Sequence, residues 1–222
     1  DVYKRQLLGC AASEVDFDGK EVYIINPDGA DNGAVSVSLS DIATKAQVNN
    51  TIPVDVTATY SSPVSPPPYM VGMVEIELDK ETGAVKILDY QAVVDCGIPV
   101  NPNLARVQTE GGIGQGIGMA LYENVTYNAG GKIAENDFMQ YKIPTRQDVG
   151  HINVEFETSY EPSGPFGVKS IGEIVINTPA PALAHAIYRA TGVWHRTVPF
   201  TPEKILMGMA DPNWHEKDLR VK

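Results

Sequence analysis

Apolar and polar residues recur at two different periods along this chain, and the changes of period mark its elements. Residues 21–25 and 34–39 are short strand-like runs, with turn chemistry at Asn26-Pro27-Asp28-Gly29 between them. Ser40-Asp41 then opens a short helix to about Val48, with Ser40 as its N-cap. Residues 52–60 alternate Ile, Val, Val and Ala with polar positions and read as a half-buried strand. The stretch 61–68, with Pro63, Pro66, Pro67 and Pro68, reads as a linker or an extended crossing loop. A hairpin follows: strands at 70–79 and 84–94 flank Lys80-Glu81-Thr82-Gly83, a turn with Gly at its last place. A helix is expected from about 103 to 123. A second hairpin-like passage turns at Asn128-Ala129-Gly130-Gly131 and runs to Pro144, and a strand at 152–160 leads into a Gly-rich loop. Helices at about 179–191 and 202–209 precede a polar tail. Strands and helices in mixed order predict an α+β fold, with mixed or antiparallel sheets and packed helices, rather than a doubly wound sheet. The expected organisation is an N-terminal α+β segment over 1–68 and a larger portion over 69–222, without internal repeats.

Composition narrows the function classes. Hydrophobic residues at 43% with 20% charged describe a folding chain that can bury a core. The net charge of −11, with no basic run, argues against a nucleic-acid partner. Cys10 and Cys96 fit no metal-ligand spacing and make a disulfide framework unexpected, so a reducing, cytoplasmic location is expected. No apolar run is long enough to span a membrane, and the start has neither Met nor a signal-peptide apolar region. A fragment of a longer chain is expected.

Two segments could carry chemistry. Gly164-Pro165-Phe166-Gly167-Val168-Lys169-Ser170-Ile171-Gly172-Glu173 brings a carboxylate to a loop without helix or strand periodicity, just ahead of a helix beginning near Asn177-Thr178-Pro179. Anions are favoured at such a helix start. Glu173 is therefore either a catalytic or ligand-orienting carboxylate or a cap of the neighbouring helix. Lys169 could meet a phosphate or pair with a carboxylate. The second segment, Gln108 to Gly118, places five glycines in a helix, a cost of about 5 kcal/mol at about 1 kcal/mol each. Either tight helix packing or a ligand's close approach compensates for it. Gln108 and Gln115 are the candidate ligand groups, carrying both donors and acceptors. The spacing fits neither a dinucleotide fingerprint nor a P-loop. His151, His185, His195 and His215 form no zinc pattern, and no G-x-S-x-G elbow supports a hydrolase triad. Glu75/Glu77 and Glu155/Glu157 fall on one face of their strands, as solvated positions or, less simply, as a glycosidase pair.

In order, these segments resemble the molybdenum-cofactor-binding large subunit of the xanthine dehydrogenase and aldehyde oxidoreductase family. The matching pieces are Gly72 to Asp79 with Glu81-Thr82-Gly83, Asp95-Cys96-Gly97 with Asn101-Pro102, Gln108-Thr109-Glu110-Gly111 with Gln115-Gly116-Ile117-Gly118, Tyr141-Lys142-Ile143-Pro144, Gly164 to Glu173, and Pro199-Thr201-Pro202-Glu203. The resemblance covers roughly residues 35–209. It implies a C-terminal part of the molybdopterin-binding domain of a molybdenum hydroxylase, which oxidatively hydroxylates an aldehyde or a purine-like N-heterocycle with water as the oxygen source. Glu173 would be the general base, taking the proton of a molybdenum-bound hydroxide. Gln108 would hydrogen-bond a pyranopterin, and Gly111, Gly112, Gln115, Gly116, Lys169, Ser170, Ile171 and Gly172 would line it. The metal would be held by the pterin's dithiolene, with no protein ligand. A separate bacterial-type subunit would favour the cytosine dinucleotide form. The implied partners are the rest of the large subunit, which would complete the site, and iron-sulfur and possibly FAD subunits or domains. A catalytically silent cofactor-binding or assembly domain of the same family is the alternative.

Overall fold

The computed structural model describes residues 7–25, 35–48, 57–211 and 214. They fall into two compact units, residues 1–61 and 62–222. The smaller unit has an antiparallel sheet in the order β1 (Val15–Phe17), β2 (Glu21–Ile24), β3 (Ser36–Ser38), followed directly by helix α1 (Leu39–Val48). The turn expected at 26–29 lies outside the described residues. Ser38, rather than Ser40, caps α1: its Oγ accepts from the Asp41 N–H at 3.1 Å and donates to the Asp41 carboxylate at 2.7 Å. Of the strand expected at 52–60, residues 52–56 lie outside the described residues and 57–60 take no regular structure.

The larger unit is built on the expected hairpin, β4 (Tyr69–Leu78) and β5 (Val85–Asp95). The Asp79 carboxylate fixes its turn by accepting from the Glu81 N–H and the Thr82 hydroxyl, each at 2.8 Å, while Gly83 takes φ +73°. From β5 the chain enters helix α2 (Pro102–Leu121), capped by Asn101, whose side chain accepts from the Leu104 N–H, and begun by Pro102. The chain returns to the sheet as β6 (His151–Phe156), which pairs parallel to β5, so the sheet is mixed, in the order β4-β5-β6. Parallel pairing follows from the crossover through α2, since only a long connection can bring a strand back beside its predecessor in the same direction. β6 is shorter than the expected 152–160. The passage 124–144 forms no hairpin strands, only the isolated bridge Tyr127–Ile133 around its turn.

Three further helices close the unit: the single turn α3 (Ile174–Asn177), then α4 (Pro179–Thr191) and α5 (Pro202–Ala210). α4 starts at Pro179 with Thr178 at its N-cap position, where the Thr178 side chain makes no capping bond. Strand alternation turns Tyr90, Ala92, Val94 and Val154 inward, where they pack with Ile113 and Ile117 of α2 and Leu183 and Ile187 of α4. The Tyr90 hydroxyl, fully buried, shares a 2.9 Å hydrogen bond with Thr178 Oγ1. The fold is thus α+β with a mixed and an antiparallel sheet, as the order of elements predicts.

Candidate active site

The end of β5 and the Gly-rich loop are pinned together by backbone bonds. Lys169 N–H donates to Cys96 O at 2.7 Å and Ile98 N–H to Gly167 O at 3.0 Å. Gly97, at φ +70°, permits the approach, because a Cβ there would come within 2.8 Å of the Lys169 nitrogen. Under this clamp the Lys169 ammonium pairs with the Asp95 carboxylate. Asp95 also accepts from the Ser159 hydroxyl at 2.6 Å and the Gly97 N–H at 3.1 Å. Burial pushes the Asp95 carboxyl up, but the bonds from Lys169, Ser159 and Gly97 outweigh it and hold the group below the usual aspartate value. With its side chain only 8% exposed, Lys169 is committed to Asp95 and takes the second of the two roles open to it.

The glycines of α2 divide by face. A Cβ on Gly112 would lie 2.9 Å from the Cβ of Val175, and one on Gly116 would lie 2.6 Å from Pro179 Cγ. Those two positions let α2 pack against α3 and the start of α4. Around Gly111 and Gly114 no such neighbour lies within 4 Å. Gly111 shares an exposed face with Gln108 and Gln115, which are three and four residues away along the helix and therefore stacked on one side. Tyr141 to Pro144 docks on the far end of this helix, where the Tyr141 hydroxyl donates to Glu123 at 2.5 Å.

One bond joins the two candidate segments, which lie 64 residues apart: Gln108 Nε2 donates to Gly172 O at 3.0 Å. It fixes the peptide immediately before Glu173. The Glu173 side chain is exposed and makes no capping hydrogen bond, although the residue stands at the N-cap position of α3. Capping is therefore not its role here, and α3, one turn of four residues, is too short to supply a strong dipole. Ser170 and Gly172 are exposed beside it, while Ile171 is half-buried and packs against the core. Phe166, earlier in the loop, combines φ +55° with an 88% exposed ring.

Other arrangements carry less. Glu75, Glu77, Glu155 and Glu157 are exposed, as solvated strand positions are. Among the described residues no three His, Cys, Asp or Glu side chains gather as a metal-holding set, and no helix is long and apolar enough to cross a membrane. Two open grooves run beside β4 and α4, neither of them lined by Glu173. That Asp95 is the partner of Lys169 is not visible in the sequence, because the two are 74 residues apart; the signal was a single cation in a loop of mostly small and apolar residues.

Residues 2–150 match the family model of the molybdopterin cofactor-binding domain, a range that ends before the Glu173 loop. The chain is similar to a probable hypoxanthine oxidase of Escherichia coli K12, 38% identical over 178 residues, covering 78% of this chain and 18% of that protein. It is similar also to the 6-hydroxypseudooxynicotine dehydrogenase complex subunit gamma of Paenarthrobacter nicotinovorans, 39% identical over 62% of this chain and 18% of that one. The solved quinoline 2-oxidoreductase of Pseudomonas putida 86 matches with a TM-score of 0.78 and 26% identity, over 94% of this chain and 28% of that one. The chain thus spans about a fifth of the length of these curated relatives.

Proposed function

The chain belongs to the molybdopterin cofactor-binding domain family of the molybdenum hydroxylases, and from that premise we infer that it is a C-terminal portion of a large subunit whose general base is Glu173. The whole subunit would oxidatively hydroxylate an aldehyde or a purine-like N-heterocycle, with water supplying the oxygen. The observation that carries this reading is the Gln108–Gly172 bond, which ties the exposed face of α2 to the residue preceding an exposed carboxylate that makes no capping bond.

The residues present fit a pterin. Gln108 spends one amide donor on Gly172 and keeps its acceptor oxygen, Gln115 offers a full amide on the same face, and Gly111 leaves the backbone open between them. Amide and backbone groups suit the hydrogen-bonding edge of a heterocycle, whereas a protein-held metal would call for imidazole, thiolate or carboxylate ligands. When bound, the molybdenum pyranopterin would supply the two-electron redox step. Glu173 would accept a proton at its carboxylate as water oxygen is delivered to the substrate. Gln108 would hold the loop that carries Glu173, and the Asp95–Lys169 pair would anchor the other end of that loop to β5. The cytosine dinucleotide form, the iron-sulfur and FAD partners and a cytoplasmic location complete the proposal.

The full-length subunit, expressed with its partners and incubated with an electron-accepting dye and aldehydes or purines in oxygen-18 water, is expected to contain molybdenum, to reduce the dye, and to give hydroxylated purine carrying the label. Unlabelled purine product would overturn water as the oxygen source, and cofactor without any turnover would overturn the hydroxylase reading in favour of a silent cofactor-binding domain. The 222-residue chain alone is expected to turn over neither substrate class.

A further inference from the structure

Among the described residues β4 pairs with β5 on one side and with no strand on the other. This free edge is ten residues long; Glu75 and Glu77 put charge on its second half, whereas its first six residues, Tyr69 to Val74, carry neither a charge nor a Pro. Exposed edges are normally blunted by charged residues or Pro, or covered, because their unpaired N–H and C=O groups recruit further strands, and Tyr69 to Val74 lack that protection. A groove of about 540 Å³ follows it. One wall is five consecutive strand residues, 72–76. Successive strand side chains point to opposite faces, so five in a row can line one groove only if it runs along the strand's edge. The other wall is one face of α4, where Ala182, Ala186 and Ala190 stand at four-residue steps. Methyl groups at that spacing leave a trough beside the unpaired backbone. A second groove shares Gly72, Ala182 and His185 with the first and continues it past Trp194.

We propose that this trough receives an extended segment of the same subunit, lying outside these 222 residues, which adds to β4 as a fourth strand. Main-chain hydrogen bonds to the β4 edge would hold the segment, and its alternate side chains would lie over the alanines of α4. The occupant is assigned to the same subunit because this chain spans 18% of a curated relative and 28% of a solved one, so most of such a subunit lies outside it. The proposal rests on the reading that the chain is a portion of a larger subunit, and on nothing about Glu173 or the cofactor.

Amide hydrogen exchange, compared between the 222-residue chain and the full-length subunit, tests it. Alternate β4 amides are expected to exchange rapidly in the short chain and at least about 100-fold more slowly in the full-length one. Ala186→Phe, which fills the trough, is expected to return those amides of the full-length subunit to rapid exchange. Equal exchange in the two proteins would overturn the proposal, as would protection unchanged by Ala186→Phe. Protection that grows with the concentration of the short chain would assign the edge to a second copy, and protection that requires another subunit would assign it to that partner. If Ala186→Phe does not fold, the two wild-type proteins decide. Molybdenum content and turnover do not enter this readout, so failure of the hydroxylase reading would leave the result interpretable.

Discussion

A methyl group added at Gly111 and one added at its neighbour Gly112 should move stability in opposite directions. Both substitutions relieve the helix of a glycine, a gain of about 1 kcal/mol. At Gly111 no atom beyond the helix's own backbone and the adjacent residues lies within 4 Å of the new Cβ, so the gain is kept. At Gly112 the Cβ would stand 2.9 Å from that of Val175, a side chain only 1% exposed and without room to turn aside. Overpacking of that kind costs roughly 1–3 kcal/mol, and contact this close calls for the upper end, leaving a net loss of about 2 kcal/mol. In urea unfolding of the 222-residue chain, Gly111→Ala should raise the midpoint and Gly112→Ala lower it, with unchanged slopes. Equal shifts would refute the division of the α2 glycines into an open and a packed face. In the full-length subunit the sign at Gly111 should reverse in a different observable: a methyl group there should reduce bound cofactor, since it would intrude on the face proposed to take the pterin.

Asp95→Asn leaves the nearly buried Lys169 ammonium without its counter-charge, and the loop should become more susceptible to proteolysis. Because the folded-state value of Asp95 is depressed, its contribution is fully present above the ordinary aspartate value near pH 4 and fades as the pH falls further. The stability difference between wild type and Asp95→Asn, measured by urea titration, should therefore be flat above about pH 4 and shrink below it. Tyr90→Phe removes the buried bond to Thr178 and should cost about 1 kcal/mol in the same assay. Gln108→Leu should leave unfolding of the short chain nearly unchanged, because the bond is exposed, yet lower turnover of the full-length enzyme by freeing the peptide before Glu173.

Elements with strong local signals were legible in the sequence. The β4–β5 hairpin was set by its alternation and by Gly83, and α2 and α5 lie close to the expected 103–123 and 202–209, with Asn101 and Thr201 capping them in the structure. What the sequence could not show depends on distant partners. β6 pairs parallel because of a crossover whose length is visible but whose destination is not, and 124–144 lacks strands although its turn residues resemble those of a hairpin. Of the proposed cofactor residues, Gln108 and Gly172 prove to touch, although 64 residues apart. Gly112 and Gly116 face Val175 and Pro179 instead of open space, a distinction that helical spacing alone could not draw before α3 was placed.

Glu173→Gln in the full-length subunit separates a proton acceptor at this position from a structural residue. Molybdenum and pterin should be retained in full, with turnover lower by about 10²–10⁴-fold, the usual contribution of a positioned proton acceptor. Wild-type turnover with cofactor in place, or loss of the cofactor itself, would contradict the account.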